Sequence, residues 1–126
     1  MDELQVGRAR RPFAIARAVP LALALVLAAC GTPESPAVPG EEDGSADPEL
    51  VAGREVYEEQ CARCHGASGG GGSGPGLGDG AVVDNFPDAA GQRAVIVEGV
   101  GGMPSFGDRL SDDEIDAVVR YTREVL

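Results

Sequence analysis

The chain has 126 residues, enough for one domain, and sets ten Arg and no Lys against 21 Asp and Glu, a formal net charge of −11. That balance argues against a nucleic-acid binder, which needs a basic face. An aromatic content of 4% without Trp excludes a large aromatic core, and a single His excludes any site built from two histidines of one chain.

Arg8, Arg10, Arg11 and Arg17 precede an apolar run of 12 residues, Ala18 to Ala29. At 1.5 Å per residue the run reaches about 18 Å, short of the roughly 30 Å of hydrocarbon that a spanning helix crosses. A basic start and a short, uniformly apolar run containing Pro20 read as an export signal over residues 1–29, rather than as a buried core helix. Leu27-Ala28-Ala29-Cys30 resembles the bacterial lipobox, in which a Cys after small residues is lipidated and becomes the new N-terminus. Cys30 is therefore expected to carry the lipid. Cleavage after Ala29 that leaves a free thiol is the alternative. Arg10-Arg11-Pro12-Phe13 also resembles a twin-arginine signal. It is set aside because that route exports folded cargo, whereas the cysteine motif below is loaded on an unfolded chain after export.

Residues 31–47 hold Pro33, Pro36 and Pro39, few apolar side chains and the acids Glu41, Glu42 and Asp43. This composition predicts a disordered tether reaching roughly 50 Å when extended. The folded domain is expected over 48–126.

Three helices are predicted there. Asp47 as N-cap and Pro48 at the first helical position open one that runs to about Gln60, with Leu50, Gly53, Tyr57 and Cys61 on one face. A second runs from a cap at Asp88 to Glu98 and stops at Gly99. A third opens on the capping box Ser111-Asp112-Asp113-Glu114 and carries the stripe Ile115, Val118, Val119, Thr122, Val125 and Leu126. Between the first two lies an aperiodic loop, Gly66 to about Pro87, with nine Gly by Gly80. No strand pattern is convincing, so the class is small all-α with one long loop. The predicted core is Leu50, Tyr57, Leu77, Phe86, Phe106, Ile115, Val118, Val119 and Tyr121, too few side chains for 79 residues without a staple.

The staple is indicated by Cys61-Ala62-Arg63-Cys64-His65, the Cys-x-x-Cys-His attachment motif of c-type haem. Two thiols one helical turn apart meet the two vinyl groups on one edge of the macrocycle, and the following His lies under its plane, able to ligate iron. A thioredoxin-like thiol–disulfide pair would want a strand before the motif, where a helix is predicted. A zinc site would need a fourth ligand, with Cys30 far away. A structural disulfide would leave His65 without a role. For the second axial ligand the candidates are Met103 or nothing, since Met1 leaves with the signal. Met103 sits in Gly99-Val100-Gly101-Gly102-Met103-Pro104, too Gly-rich for helix, on a loop free to approach the opposite haem face. A thioether favours ferrous iron and raises the potential.

Residues 48–126 resemble a class I cytochrome c of the small bacterial type. The resemblance rests on Gly53 to Cys61, on Gly74-Pro75-Gly76-Leu77, on Gly102-Met103-Pro104, and on Leu110 to Arg123, in that order along the chain. It implies about three main helices and a Gly-rich loop wrapped around one covalent haem. It also implies a Pro75 carbonyl accepting the His65 proton, Leu77 against haem, and a close helix crossing at Gly53 beside Tyr57 and Tyr121. Phe106 is expected with Pro75 and Leu77 in the slot between His65 and Met103. The run Gly69 to Gly74 departs from the family pattern and is expected to loosen the haem edge.

With both axial positions filled by protein, such a site changes oxidation state with little rearrangement and admits no substrate. The expected function is thus a monomeric, membrane-tethered electron carrier on the extracytoplasmic, periplasmic side of a bacterial membrane, not an enzyme. A haem-based sensor with a displaceable distal ligand is the alternative. The resemblance implies a quinol-oxidising complex or dehydrogenase as donor and a terminal oxidase as acceptor, with the acidic surface guiding docking to a basic partner.

Overall fold

Asp47 opens the first helix. Its carboxylate accepts the Glu49 N–H at 2.9 Å, and Pro48, which has no N–H to leave unpaired, takes the first position of α1, Pro48–Val56. The computed structural model describes residues 34–126. The expected signal peptide 1–29 and Cys30 lie outside the described residues. α1 passes without a break into a π-helical turn, Tyr57–Cys61, and then into α2, Ala62–His65. A short α3, Ala81–Asn85, is followed by α4, Ala89–Glu98, capped by Asp88 and ended by Gly99. Last comes α5, Asp112–Glu124, opened by a complete Ser111–Glu114 capping box. Among the described residues there is no strand, only an isolated bridge between Val100 and Met103. The all-helical class and the caps of the three main helices match the reading from sequence. α3 falls where loop was expected, because five residues are too few to register a helical period.

α1 packs across α5, and Gly53 is where they touch. A Cβ built there would fall inside the contact shell of the Ala117 carbonyl oxygen and 2.9 Å from Tyr121 Cβ. Beside the crossing, the rings of Tyr57 and Tyr121 lie 5.6 Å apart, tilted by 48°, and both are fully buried. Leu50, Val56, Ile115, Val118 and Val119 complete this cluster, with Ile96 and Phe106 at its edge. Leu77 and Phe86, predicted for the core, are only partly buried, since both face a cavity described below. Burial pushes both tyrosine hydroxyls up to about 12, so neither ionises at neutral pH.

The expected tether needs correction. From Glu34 onward the chain lies on the helices as a strap. Val38 is 2% exposed and joins the core cluster, and Ser35 is buried beside it. The Tyr121 hydroxyl donates to the Pro36 carbonyl at 2.7 Å. Arg54 on α1 reaches Glu34 at 2.7 Å and Glu41 at 3.0 Å, while Glu41 also accepts the Val38 N–H. Pro36 and Pro39 reduce the entropy this ordering costs. Composition predicted disorder because the segment's partners lie on helices far along the chain.

Gly53→Ala tests the crossing. Helix propensity alone would favour Ala by about 1 kcal/mol. The contact with backbone makes the net effect a loss of roughly 1–3 kcal/mol. Denaturant unfolding of the loaded protein should show a lower midpoint with an unchanged slope; a higher midpoint would mean that the helices part freely.

Candidate functional site

The π turn immediately precedes the cysteine motif. It spends an extra residue on one turn and so changes the rotation at which α2 leaves α1, as such turns often do at functional sites. The last residue of the π turn and α2 then present Cys61, Cys64 and His65 from one short stretch. His65 is buried, and its Nδ1 stands 2.8 Å from the Pro75 carbonyl oxygen. A carbonyl only accepts, so Nδ1 is the donor, and in the neutral ring Nε2 then keeps its lone pair. The loop that brings Pro75 there is tied to α2: Gly71 N–H donates to His65 O at 2.7 Å and Gly74 N–H to Cys64 O at 2.9 Å. Leu77 and Gly78 N–H both donate to Gly69 O, and the Tyr57 hydroxyl holds Gly66 O at 2.6 Å. At Gly74 a Cβ would stand 2.8 Å from the imidazole Cε1, so only Gly lets the loop lie against the ring. The run at 69–74 is therefore a close wrap held by backbone hydrogen bonds, contrary to the expected loosening.

Met103 arrives from the other side. Val100 and Met103 exchange backbone hydrogen bonds around Gly101-Gly102, a two-residue turn in which Gly101 has φ +57°. Gly99 stands at φ +75°, and a Cβ there would come 2.6 Å from Met103 O. Beyond Pro104 the loop is stapled to α4, with the Ser105 hydroxyl donating to Val97 O at 2.7 Å and Phe106 N–H to Ile96 O at 3.0 Å.

Between these two sides lies a cavity of about 930 Å³. It brings together the residues expected around the haem: Cys61, Cys64 and His65, then Pro75 and Leu77, then Met103 and Phe106. Its far wall was not anticipated. Val82 and Phe86 come from α3 and its end, Gln92, Val95 and Ile96 from α4, and Val118 and Thr122 from α5. Gln92 and Thr122 form a buried pair, the amide donating to the hydroxyl at 2.7 Å. Their i, i+4 spacing to Ile96 and Val118 was the available signal. At the mouth stand Arg63 and Arg109, neither paired with a carboxylate among the described residues, and Arg109 lies 5.0 Å over the Phe106 ring. Glu59 lines the same cavity, so the charge there is mixed, whereas the molecule as a whole is acidic.

The residues fit haem c. The cavity lies at the upper end of the usual range for cofactor sites and is walled chiefly by apolar side chains. Both thiols are free, the His65 imidazole lines one side of the cavity with its Nδ1 held by Pro75, and the Met103 thioether stands on the other loop. Burial, and next the neighbouring Cys64, pushes the Cys61 thiol up to about 11; a hydrogen bond from Ser73 draws Cys64 down.

The family described as cytochrome c oxidase, cbb3-type, subunit III matches residues 48–121. The chain belongs to this family of c-type cytochromes. The cytochrome is 38% identical over 78 residues to cytochrome c6 of Leptolyngbya boryana, an alignment covering 58% of this chain and 88% of the relative. To cytochrome c-551 of Bacillus subtilis it is 31% identical over 103 residues, covering 82% and 88%. Among solved structures it resembles dihydro-haem d1 dehydrogenase NirN in complex with DHE, with a TM-score of 0.53 and 32% identity over 60% of this chain. The likeness spans 16% of that much longer chain. The cytochrome is a small class I protein with haem c, an electron carrier and not an enzyme, and its partners are redox proteins.

Removing the attachment points tests how far the cofactor completes the fold. Cys61→Ala with Cys64→Ala should abolish the haem stain on a denaturing gel and leave a largely unfolded chain by circular dichroism. Native-level helicity in that variant would refute the coupling.

Proposed function

We propose that the cytochrome is a membrane-tethered carrier that holds its haem through Cys61 and Cys64 and ligates the iron with His65 Nε2 and Met103 Sδ. The observation that supports this reading is that His65, at the end of α2 and held by the Pro75 loop, and Met103, on a separately pinned loop, line one cavity. Bound haem c supplies a one-electron ferric/ferrous couple. The chain's own part is positional. Pro75 O fixes the imidazole tautomer and ring plane. Gly99 and the Gly101-Gly102 turn set the height of Met103. Phe106, Leu77 and Val82 exclude water from the slot, which favours the less charged, reduced site. A pinned pair of ligands lets the charge change without rearrangement.

In this proposal Cys30, outside the described residues, carries the lipid that keeps the protein on the extracytoplasmic, periplasmic side of the membrane. Among the described residues no helix is long and apolar enough to cross a bilayer. The donor in this reading is a quinol-oxidising complex or dehydrogenase and the acceptor a terminal oxidase.

Met103→Ala separates the carrier from the sensor alternative. Loss of the soft ligand should lower the reduction potential by a sizeable fraction of the roughly 0.8 V over which axial ligands set it, and the variant should gain carbon monoxide binding. An unmoved potential, with wild-type carbon monoxide binding equal to the variant's, would favour the sensor. For the anchor, Cys30→Ser should move the protein from the membrane to the soluble or secreted fraction, or leave the signal uncleaved; unchanged membrane binding with normal processing would count against lipidation.

A further inference from the structure

The docked strap changes what the N-terminal segment can do. As a free tether, residues 31–47 would reach roughly 50 Å when extended and about 20–25 Å on average. The strap removes most of that length, because Glu34, Pro36, Val38 and Glu41 are each fixed to α1 or α5 or to the core between them. Four residue steps separate Cys30 from Glu34, and four steps span at most about 14 Å whatever their conformation. No strap residue lines the haem cavity, so docking the strap leaves the mouth uncovered.

We propose that residues 34–46 are a leash of fixed length. Docked, they hold the cytochrome domain within about 14 Å of its anchor, with the strap side toward the bilayer and the haem mouth left for a partner in or on the same membrane. This rests on the anchoring at Cys30 proposed above. The three holds are independent in kind: an apolar side chain in the core, a tyrosine hydroxyl on a backbone carbonyl, and one guanidinium bridging two strap carboxylates. A chain selected only for separation from the membrane needs none of them. A domain of this size is about 30 Å across, so the haem stays within roughly 45 Å of the bilayer surface.

The test uses the mature, lipidated holoprotein on a supported phosphatidylcholine bilayer, with the gap between bilayer and protein layer read by neutron reflectometry. The wild type should sit within about 14 Å. Val38→Asp, which places a charge in the core, should release the strap and widen the gap by roughly 10 Å, and should open Glu41 and Glu42 to a glutamate-specific protease. A second variant keeps Val38 and inserts twelve Gly/Ser residues after Gly31. It should widen the gap by a similar amount while the strap stays protease-resistant. If Val38→Asp fails to fold, the insertion decides alone. A wild-type gap already above 20 Å, or an insertion that leaves the gap unchanged, would overturn the leash while the anchor stands. A protein layer that never forms would overturn the anchor, and the leash with it.

Discussion

The crossing of α1 over α5 at Gly53 is the contact on which the rest of the molecule is hung. Because the two backbones touch there, Tyr57 and Tyr121 face one another across the crossing, and each sends its hydroxyl outward to a different peripheral segment. Tyr57 grips Gly66, where the glycine loop leaves α2, and Tyr121 grips Pro36 in the strap. α1 leads directly into the π turn and the cysteine motif, while α5 lends Val118 and Thr122 to the cavity wall. A shift at this one crossing would thus be felt at the proximal loop, the far wall and the strap together.

The surface charges repeat this division of labour. Arg120 joins Asp47 and Glu49 at the start of α1 to Glu124 at the end of α5, and Arg93 joins α4 to Asp112 and Asp116 of α5. Arg123 caps the carbonyls of Phe86 and Pro87 between α3 and α4. Exposed pairs of this kind contribute little individually, about 0–1 kcal/mol each. Their larger effect is on where positive charge remains. With Arg54, Arg93, Arg120 and Arg123 engaged, Arg63 and Arg109 line the cavity of a protein whose net charge is −11. A docking partner therefore meets charges of both signs at the cavity, Arg63 and Arg109 beside Glu59, where the composition alone suggests a uniformly acidic face.

Legibility in the sequence followed the range of the interactions. Caps are local, so Asp47, Asp88, Gly99 and Ser111 marked their helices correctly. The haem motif is a spacing within five residues and was equally plain. Pro75 and Leu77 were reachable through the resemblance of Gly74-Pro75-Gly76-Leu77 to the family's loop, and Met103 because Met1 was expected to leave with the signal. Three features escaped. α3 was too short for periodicity, and the π turn is one residue's deviation inside a strong helix signal. The strap depends on Tyr121, 85 residues from Pro36, and no local pattern reports a partner at that distance. The glycine run was misread for a related reason. Gly marks both slack and tight contact, and only the imidazole against Gly74 and the Cys64 carbonyl against Gly72 decide between them.

The cavity has a further consequence for how the cell disposes of this protein. Helices α3, α4 and α5 and both loops each give side chains to the wall of this space, so a chain that never receives its cofactor lacks the group that would fill it. Leu77 and Phe86, half-covered as the chain stands, would then be open to proteases, and the equilibrium would drain toward degradation. Loaded and unloaded molecules are thereby sorted by the fold itself. The amount of folded protein would then follow the supply of the group that fills the cavity.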